Sequence, residues 1–237
     1  MDSSAATLPV FRHRRSLCRV ACFCSLLLLL ISGCGGSESA SLEAIQGMGA
    51  IVVKTPEGAA SSLVLGGTGK DLDLDGILNA ATKLGELQSI NASFTKITDD
   101  HLKIVAQIST LGDLQLTDTG ITDGGVRHLT SLSGLDSLVL AGTKITSACL
   151  ADIGQLKELM NLQLNNTAIS GGFEPLVGLD QLTLLVVGEL TISEEDAKIL
   201  AQIPNLQRID LTGATLSETA IETLKSKIPH VATGPGA

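Results

Sequence analysis

The stretch that decides the fold is LGDLQLTDTGITDGGVRHLTSLSG, residues 111–134. The next stretch, residues 135–158, repeats its pattern as LDSLVLAGTKITSACLADIGQLKE. Residues 159–181 and 182–205 continue in the same phase, and segments 87–110 and 206–229 keep parts of it. The shared pattern is L-x-x-L-x-L-x-x-T-x-I-[TS], followed by aliphatic residues at intervals of three. Such sustained self-similarity predicts stacked repeats rather than one conventional core.

Each unit changes its hydrophobic period in the middle. Leu114 and Leu116 alternate with polar residues, which predicts a short strand with one apolar face. Val126, Leu129 and Leu132 then follow at intervals of three, which predicts a helical or 3₁₀ segment. Because each strand would cross over to a parallel neighbour, the pattern predicts an α/β right-handed solenoid.

The repeat resembles leucine-rich repeats, in particular the GTxITDxGLxxLxxL type of many bacterial surface and periplasmic proteins. The resemblance covers about residues 60–229 and implies about seven coils over residues 63–229, with parallel strands on one face and short helices on the other. Leucine-rich repeats commonly carry Asn or Cys in one row where this chain has Thr95, Thr119, Thr143 and Thr167. The resemblance implies that this row hydrogen-bonds the backbone of the adjoining coil, which a Thr hydroxyl can also do.

Both flanks of the repeat differ from it. Residues 43–62 predict two capping strands joined by a turn, which would cover the open end of the first coil. Residues 230–237 follow Pro229 and predict a disordered tail. Within the repeat, Ser/Thr–acid pairs predict helix starts, with the acid at the positive end of each helix. These pairs are Thr98-Asp99, Thr122-Asp123, Ser193-Glu194 and Ser217-Glu218.

The N-terminus predicts export. Residues 11–19 carry four Arg, and Val20–Ile31 is an apolar run too short for the ~20 residues that span a bilayer. Ile31-Ser32-Gly33-Cys34 then resembles the lipobox of bacterial lipoproteins. The resemblance implies a signal peptide at residues 1–33, lipidation of Cys34, and a membrane-anchored protein in the periplasm or at the cell surface. Residues 34–42 would form a flexible tether; an ordinary signal peptide or an uncleaved anchor are the alternatives.

Composition limits the partners. The net charge is −9, and residues 1–33 contribute four Arg and one Asp, so the remainder is near −12. This acidity argues against nucleic acid as a ligand and predicts membrane attachment through lipid rather than a basic patch. Cys149 is the one cysteine after Cys34, and a packed, inert thiol is expected there.

Residues 65–76, LGGTGKDLDLDG, resemble both a phosphate-binding loop and a calcium loop. The phosphate-loop pattern fails, because its first Gly and its final Ser or Thr are missing. Asp71, Asp73 and Asp75 are candidate calcium ligands, but the twelfth loop position is Thr82 rather than Glu. The alternative is that Asp75 caps a helix while the other two are solvated.

No motif predicts catalysis. His101 and His128 fall at non-equivalent repeat positions, which does not favour a metal pair, and no Ser stands in a G-x-S-x-G elbow. We therefore expect no enzyme, no cofactor and no small-molecule substrate.

The outward face of the sheet is the predicted binding face, with a modest apolar strip from Val139, Leu184 and Val186 and no aromatic anchors. Its candidate residues are Asp113, Gln115, Val139, Asn161, Gln163, Asn165, Leu184, Val186, Arg208 and Asp210. Seven strands at ~4.8 Å give a face of roughly 34 by 10 Å, under half of the ~800 Å² per partner of a stable complex. We expect a lipid-anchored, non-catalytic module that binds a protein or an envelope polymer. The alternative is a structural envelope lipoprotein without a specific ligand.

Overall fold

The structure of the chain is a computed structural model that describes residues 35–67 and 71–234. The predicted signal peptide and the predicted lipidation of Cys34 lie outside the described residues. Within them, one nine-stranded sheet follows sequence order from β1 to β9. The strands are β1 (Ile51–Lys54), β2 (Ala60–Val64), β3 (Ser89–Asn91), β4 (Asp113–Gln115), β5 (Ser137–Val139), β6 (Asn161–Gln163), β7 (Leu184–Val186), β8 (Arg208–Asp210) and β9 (His230–Ala232).

Short helical segments connect successive strands on the other side of the core. The α-helices are α1 (Gly35–Gly47), α2 (Leu74–Ala81), α3 (Asp99–Val105), α4 (Asp123–Val126), α5 (Leu150–Ile153), α6 (Glu194–Leu200) and α7 (Glu218–Lys225). The 3₁₀ segments are Arg127–Ser131, Ser147–Cys149 and Glu174–Gly178. The last of these has Pro at its start, where a missing backbone N–H is tolerated. This alternation confirms the predicted α/β fold class.

The strands stack in constant register. β1 and β2 pair antiparallel, and every later pair is parallel. Leu114 pairs with Ile90 on one side and with Leu138 on the other, so equivalent repeat positions form continuous rows. The central inward row is fully buried throughout the parallel sheet up to β8. Its members are Leu63, Ile90, Leu114, Leu138, Leu162, Leu185 and Ile209, each 0% exposed.

The threonine row closes the turn within its own coil, so the predicted bond to the adjoining coil is wrong. Thr95 Oγ1 donates to the Ala92 carbonyl at 2.6 Å, and Thr143 Oγ1 donates to the Leu140 carbonyl at 2.6 Å. Thr119 and Thr167 make the equivalent bond at 2.7 Å. The reason lies one residue earlier, where the backbone turns through the left-handed region and brings the hydroxyl back to the end of the strand. These preceding residues are Phe94, Asp118, Gly142 and Asn166.

Three of the four acids in the Ser/Thr–acid pairs tie neighbouring coils together, beyond their predicted place at helix ends. Asp99 accepts the Thr122 backbone N–H at 2.9 Å through Oδ1 and the Thr122 hydroxyl at 2.5 Å through Oδ2. Asp123 binds Thr146 of the next coil in the same way, at 2.7 Å for each bond. Glu194 accepts the Ser217 hydroxyl at 3.2 Å. Each such carboxylate holds the first turn of the helical segment that follows it in the stack.

Two predictions for the flanks need correction. The stretch 34–42 is not a flexible tether where the structure describes it, because α1 begins at Gly35 and packs against α2 and β1. Its Ile45 is fully buried, and that burial orders the helix. The predicted tail also begins with a strand, since β9 pairs with the free edge of β8. The backbone N–H of His230 donates to the Gln207 carbonyl at 3.0 Å.

Candidate binding face

The outward side chains of the parallel strands form one surface, which we call the strand face. The sheet register brings nine of the ten predicted residues onto it. Asp113, Asn161, Leu184 and Arg208 lie in one row across the strands. Gln115, Val139, Gln163, Val186 and Asp210 lie in the next row, and Asn165 follows β6.

The middle of the strand face is polar. Asp113 Oδ2 accepts the Ser89 hydroxyl at 2.9 Å and the Gln115 side-chain amide at 3.1 Å, so its neighbours already hold this carboxylate. The Asn161 side-chain amide donates to the Ser137 hydroxyl at 3.3 Å. The Asn161 Oδ1 atom is buried and has no hydrogen-bond partner in the part of the chain that the structure describes.

The predicted apolar strip is interrupted. Gln163 on β6 lies between Val139 and Val186, because the three residues pair in one row. Val139 is also only 9% exposed, so it offers little area to a ligand. Leu184 and Val186, both half-buried on β7, form the apolar part of this region. The register places these residues on the outward face of the sheet, as the sequence predicts, but they do not form one continuous strip.

The C-terminal end of the strand face carries a fixed negative charge. The Thr212 hydroxyl and backbone N–H bond to Asp210 and, with Arg208, lower the pKa of this carboxyl below its usual range, although partial burial opposes the shift. The Thr212 N–H lies 3.0 Å from Asp210 Oδ1, and Arg208 Nη2 lies 4.0 Å from Oδ2. Asp210 is therefore ionised at neutral pH.

Phe94 is a candidate binding residue that the sequence reasoning missed. It follows β3 at the margin of the strand face, its side chain is 70% exposed, and its φ is 59°. A left-handed φ costs an ordinary L-residue about 1–2 kcal/mol and is an outlier for a bulky side chain. The equivalent positions in later coils hold Asp118, Gly142, Asn166, Glu189 and Gly213, all polar or glycine. Comparing this single row across the repeat would have singled out the phenylalanine.

The three candidate calcium ligands have separate partners. Asp71 pairs with Lys96 at 2.9 Å, while Asp75 lies 3.5 Å from His101 Nε2. Asp73, rather than the predicted Asp75, caps α2 by accepting a backbone N–H at 3.0 Å, because the helix already begins at Leu74. Across residues 35–67 and 71–234, no group of three or more His, Cys, Asp or Glu side chains is placed to hold a metal ion.

Cys149 lies inside the solenoid. Its thiol is buried and donates to the Thr146 carbonyl at 3.1 Å. Burial, assisted by the nearby Asp123 carboxylate, raises the pKa of the thiol to about 12. The thiolate is the reactive form, so at physiological pH this cysteine acts as a small apolar core residue.

The comparisons with known proteins identify the fold. No family model and no curated protein matches the chain. An internalin (inlF) from Listeria monocytogenes str. 4b F2365 is 24% identical over 65% of this chain, with a TM-score of 0.55, and the match covers 43% of the inlF chain. An internalin C2 (inlC2) from the same strain is 21% identical over 84% of this chain and 92% of that chain, with a TM-score of 0.56. The chain therefore spans less than half the length of the inlF chain, and these likenesses show the leucine-rich-repeat fold.

Among the described helices, none combines the length and the apolar character that crossing a membrane requires.

Proposed function

We propose that the chain is a non-catalytic leucine-rich-repeat module that binds a protein outside the cytoplasm, with the strand face and Phe94 as its binding site. An envelope polymer is the other ligand class that this surface could take. The proposal is carried by Phe94, whose backbone strain and exposed ring both oppose folding stability. A position kept only for the fold would favour Asn, Asp or Gly, as the neighbouring coils have.

The dimensions of the site also favour a role for the turns beside the strand face. The outward side chains alone offer less area than a stable protein complex buries. Phe94 stands at the ends of the strands, next to the row that contains Asn91 and Gln115. Aromatic residues are enriched among binding hot spots, which lie near the centre of an interface, so a partner that uses Phe94 would extend past the strand ends onto the turns.

The lipid anchor is the second part of the proposal. The lipobox resemblance places acylation at Cys34, and α1 begins at the very next residue. Little chain would then separate the anchor from the first helix, so the N-terminal coil would lie near the membrane. Mass spectrometry of the mature N-terminus tests this part, since a diacylated or triacylated Cys34 is expected and an unmodified N-terminus would contradict it.

Affinity capture with matched variants tests the binding function. The full chain, Phe94→Asn, and the double variant Leu184→Lys with Val186→Lys would be compared for proteins retained from cell membranes. We expect the full chain to retain a discrete partner and both variants to lose it. Met160→Asn is the control, because Met160 is 48% exposed but precedes β6 at the opposite end of the strands. Retention that is equal in all four proteins, or absent from all, would favour a structural envelope component instead.

A further inference from the structure

The first strand leaves an apolar edge open. Within the described sheet, β1 pairs with β2 alone and forms the sheet's N-terminal edge. Ile51 pairs with Val64 and Val53 pairs with Ser62, so both side chains extend the rows of the strand face. They are 54% and 49% exposed. An unblocked edge strand with apolar side chains is a template for pairing with another strand.

The hydrophobic core is also incompletely covered at this end. Val52, on the opposite face of β1, packs against the core but stays partly exposed. Leu42 in α1 and Met48 in the turn after it also pack against the core and are also partly exposed. Among the described residues, the first aliphatic layer of the stack therefore lacks the neighbour that each inner layer has.

At this edge, two copies of the chain can meet without the charge repulsion that separates them elsewhere. The chain carries a net charge of −9, so two copies repel each other wherever their acids meet. The segment 44–56, which contains β1, has Lys54 as its single charged residue. The opposite edge, β9, is less suited to pairing, because its strand-face side chains are His230 and Ala232 rather than large apolar groups.

We propose that two copies of the chain associate through antiparallel pairing of their β1 strands about a two-fold axis. An axis at Val52 places this residue opposite its own copy on the core side and places Ile51 opposite the copy's Val53 on the strand face. The register shift between Val53 and Lys54, with Pro56 beyond it, ends the pairable segment there. The two nine-stranded sheets would become continuous, and a closed dimer would result.

Site-specific photo-cross-linking in the cells that make the full chain tests this interface. A benzophenone amino acid would replace Val53 in one variant and Met160 in a control variant. We expect the first to give an adduct that contains only this chain at twice its 24.4 kDa mass, or twice its processed mass, and the second to give none. Adding Ile51→Lys to the Val53 variant should abolish the adduct, because it would place a charge inside the interface.

Several outcomes would overturn the proposal: no adduct from position 53, an adduct with a different protein, a ladder of higher multiples, or the same adduct from position 160. The unfolding midpoint of Ile51→Lys serves as the folding control. Measured at a protein concentration at which both chains are monomeric, it should match that of the parent chain, since Ile51 is 54% exposed in the single chain. The interface uses the sheet edge and leaves the strand face beyond β2 free. Its failure would therefore leave the proposed ligand site standing.

Discussion

Replacing Phe173 by alanine should lower the free energy of unfolding by about 3–5 kcal/mol, as large aromatic truncations in cores do. Phe173 is fully buried and is the largest such side chain in the described chain. It belongs to the unit at residues 159–181, which is shorter than its neighbours, and it precedes the 3₁₀ segment Glu174–Gly178. The ring fills core volume that a longer helical segment supplies elsewhere, so alanine would leave a cavity. Urea denaturation followed by far-UV circular dichroism measures the loss.

The matched control is the same substitution at Phe94. Its ring is 70% exposed, so Phe94→Ala should change the unfolding free energy by no more than about 0.5 kcal/mol. The two substitutions remove the same atoms from the two aromatic residues of the described chain. Equal losses at both positions would show that Phe94 has a structural role and would remove the main support for the proposed binding site.

Replacing Asp99 by alanine should cost about 1–3 kcal/mol, because it leaves a backbone N–H of the next coil without its acceptor. The carboxylate accepts both the N–H and the hydroxyl of Thr122, and Thr122 is the N-cap of α4. The loss should therefore include fraying of α4, visible as faster amide hydrogen exchange at residues 122–126.

Asp100 supplies the control for that substitution. It is the adjacent residue, and its carboxylate forms an exposed ion pair with Lys103 within the same helix. Exposed pairs of this kind contribute little, so Asp100→Ala should leave the unfolding midpoint unchanged. If Asp99→Ala also left the unfolding midpoint unchanged, the carboxylates would be solvated surface charges and would not hold adjacent coils together.

The fold was largely predictable because the same spacing of apolar residues recurs in every coil. Alternation at Leu114 and Leu116 fixes a strand, and the same spacing recurs in each coil. The segments before and after the repeat lack this recurring spacing, so their structure is harder to predict. The sequence GGSESASLEAIQG is typical of a linker, and α1 forms because Ile45 docks on the core, a tertiary effect that local composition does not show. β9 likewise depends on the open edge of β8.

The strand face was predictable because a strand's alternation decides which side chains point outward. Contacts between side chains of adjacent coils were less predictable. The repeat order already places Gln163 between Val139 and Val186, and the pairing register shows that the three side chains lie in one row. Phe94 was missed because hydrophobic periodicity gives no information about side chains in turns. The energetic cost of a left-handed phenylalanine appears only when the backbone angle is known.

The most direct test of the central claim is a comparison of photo-cross-links from two pairs of glutamines in the full chain, made in the cells that produce it. Gln115 and Gln163 lie on the strand face, whereas Gln107 and Gln155 are exposed after the helical segments on the opposite side. We predict adducts of one shared mass from positions 115 and 163 and none from positions 107 and 155. Adducts confined to the helical side, or equal from all four positions, would contradict a ligand site on the strand face.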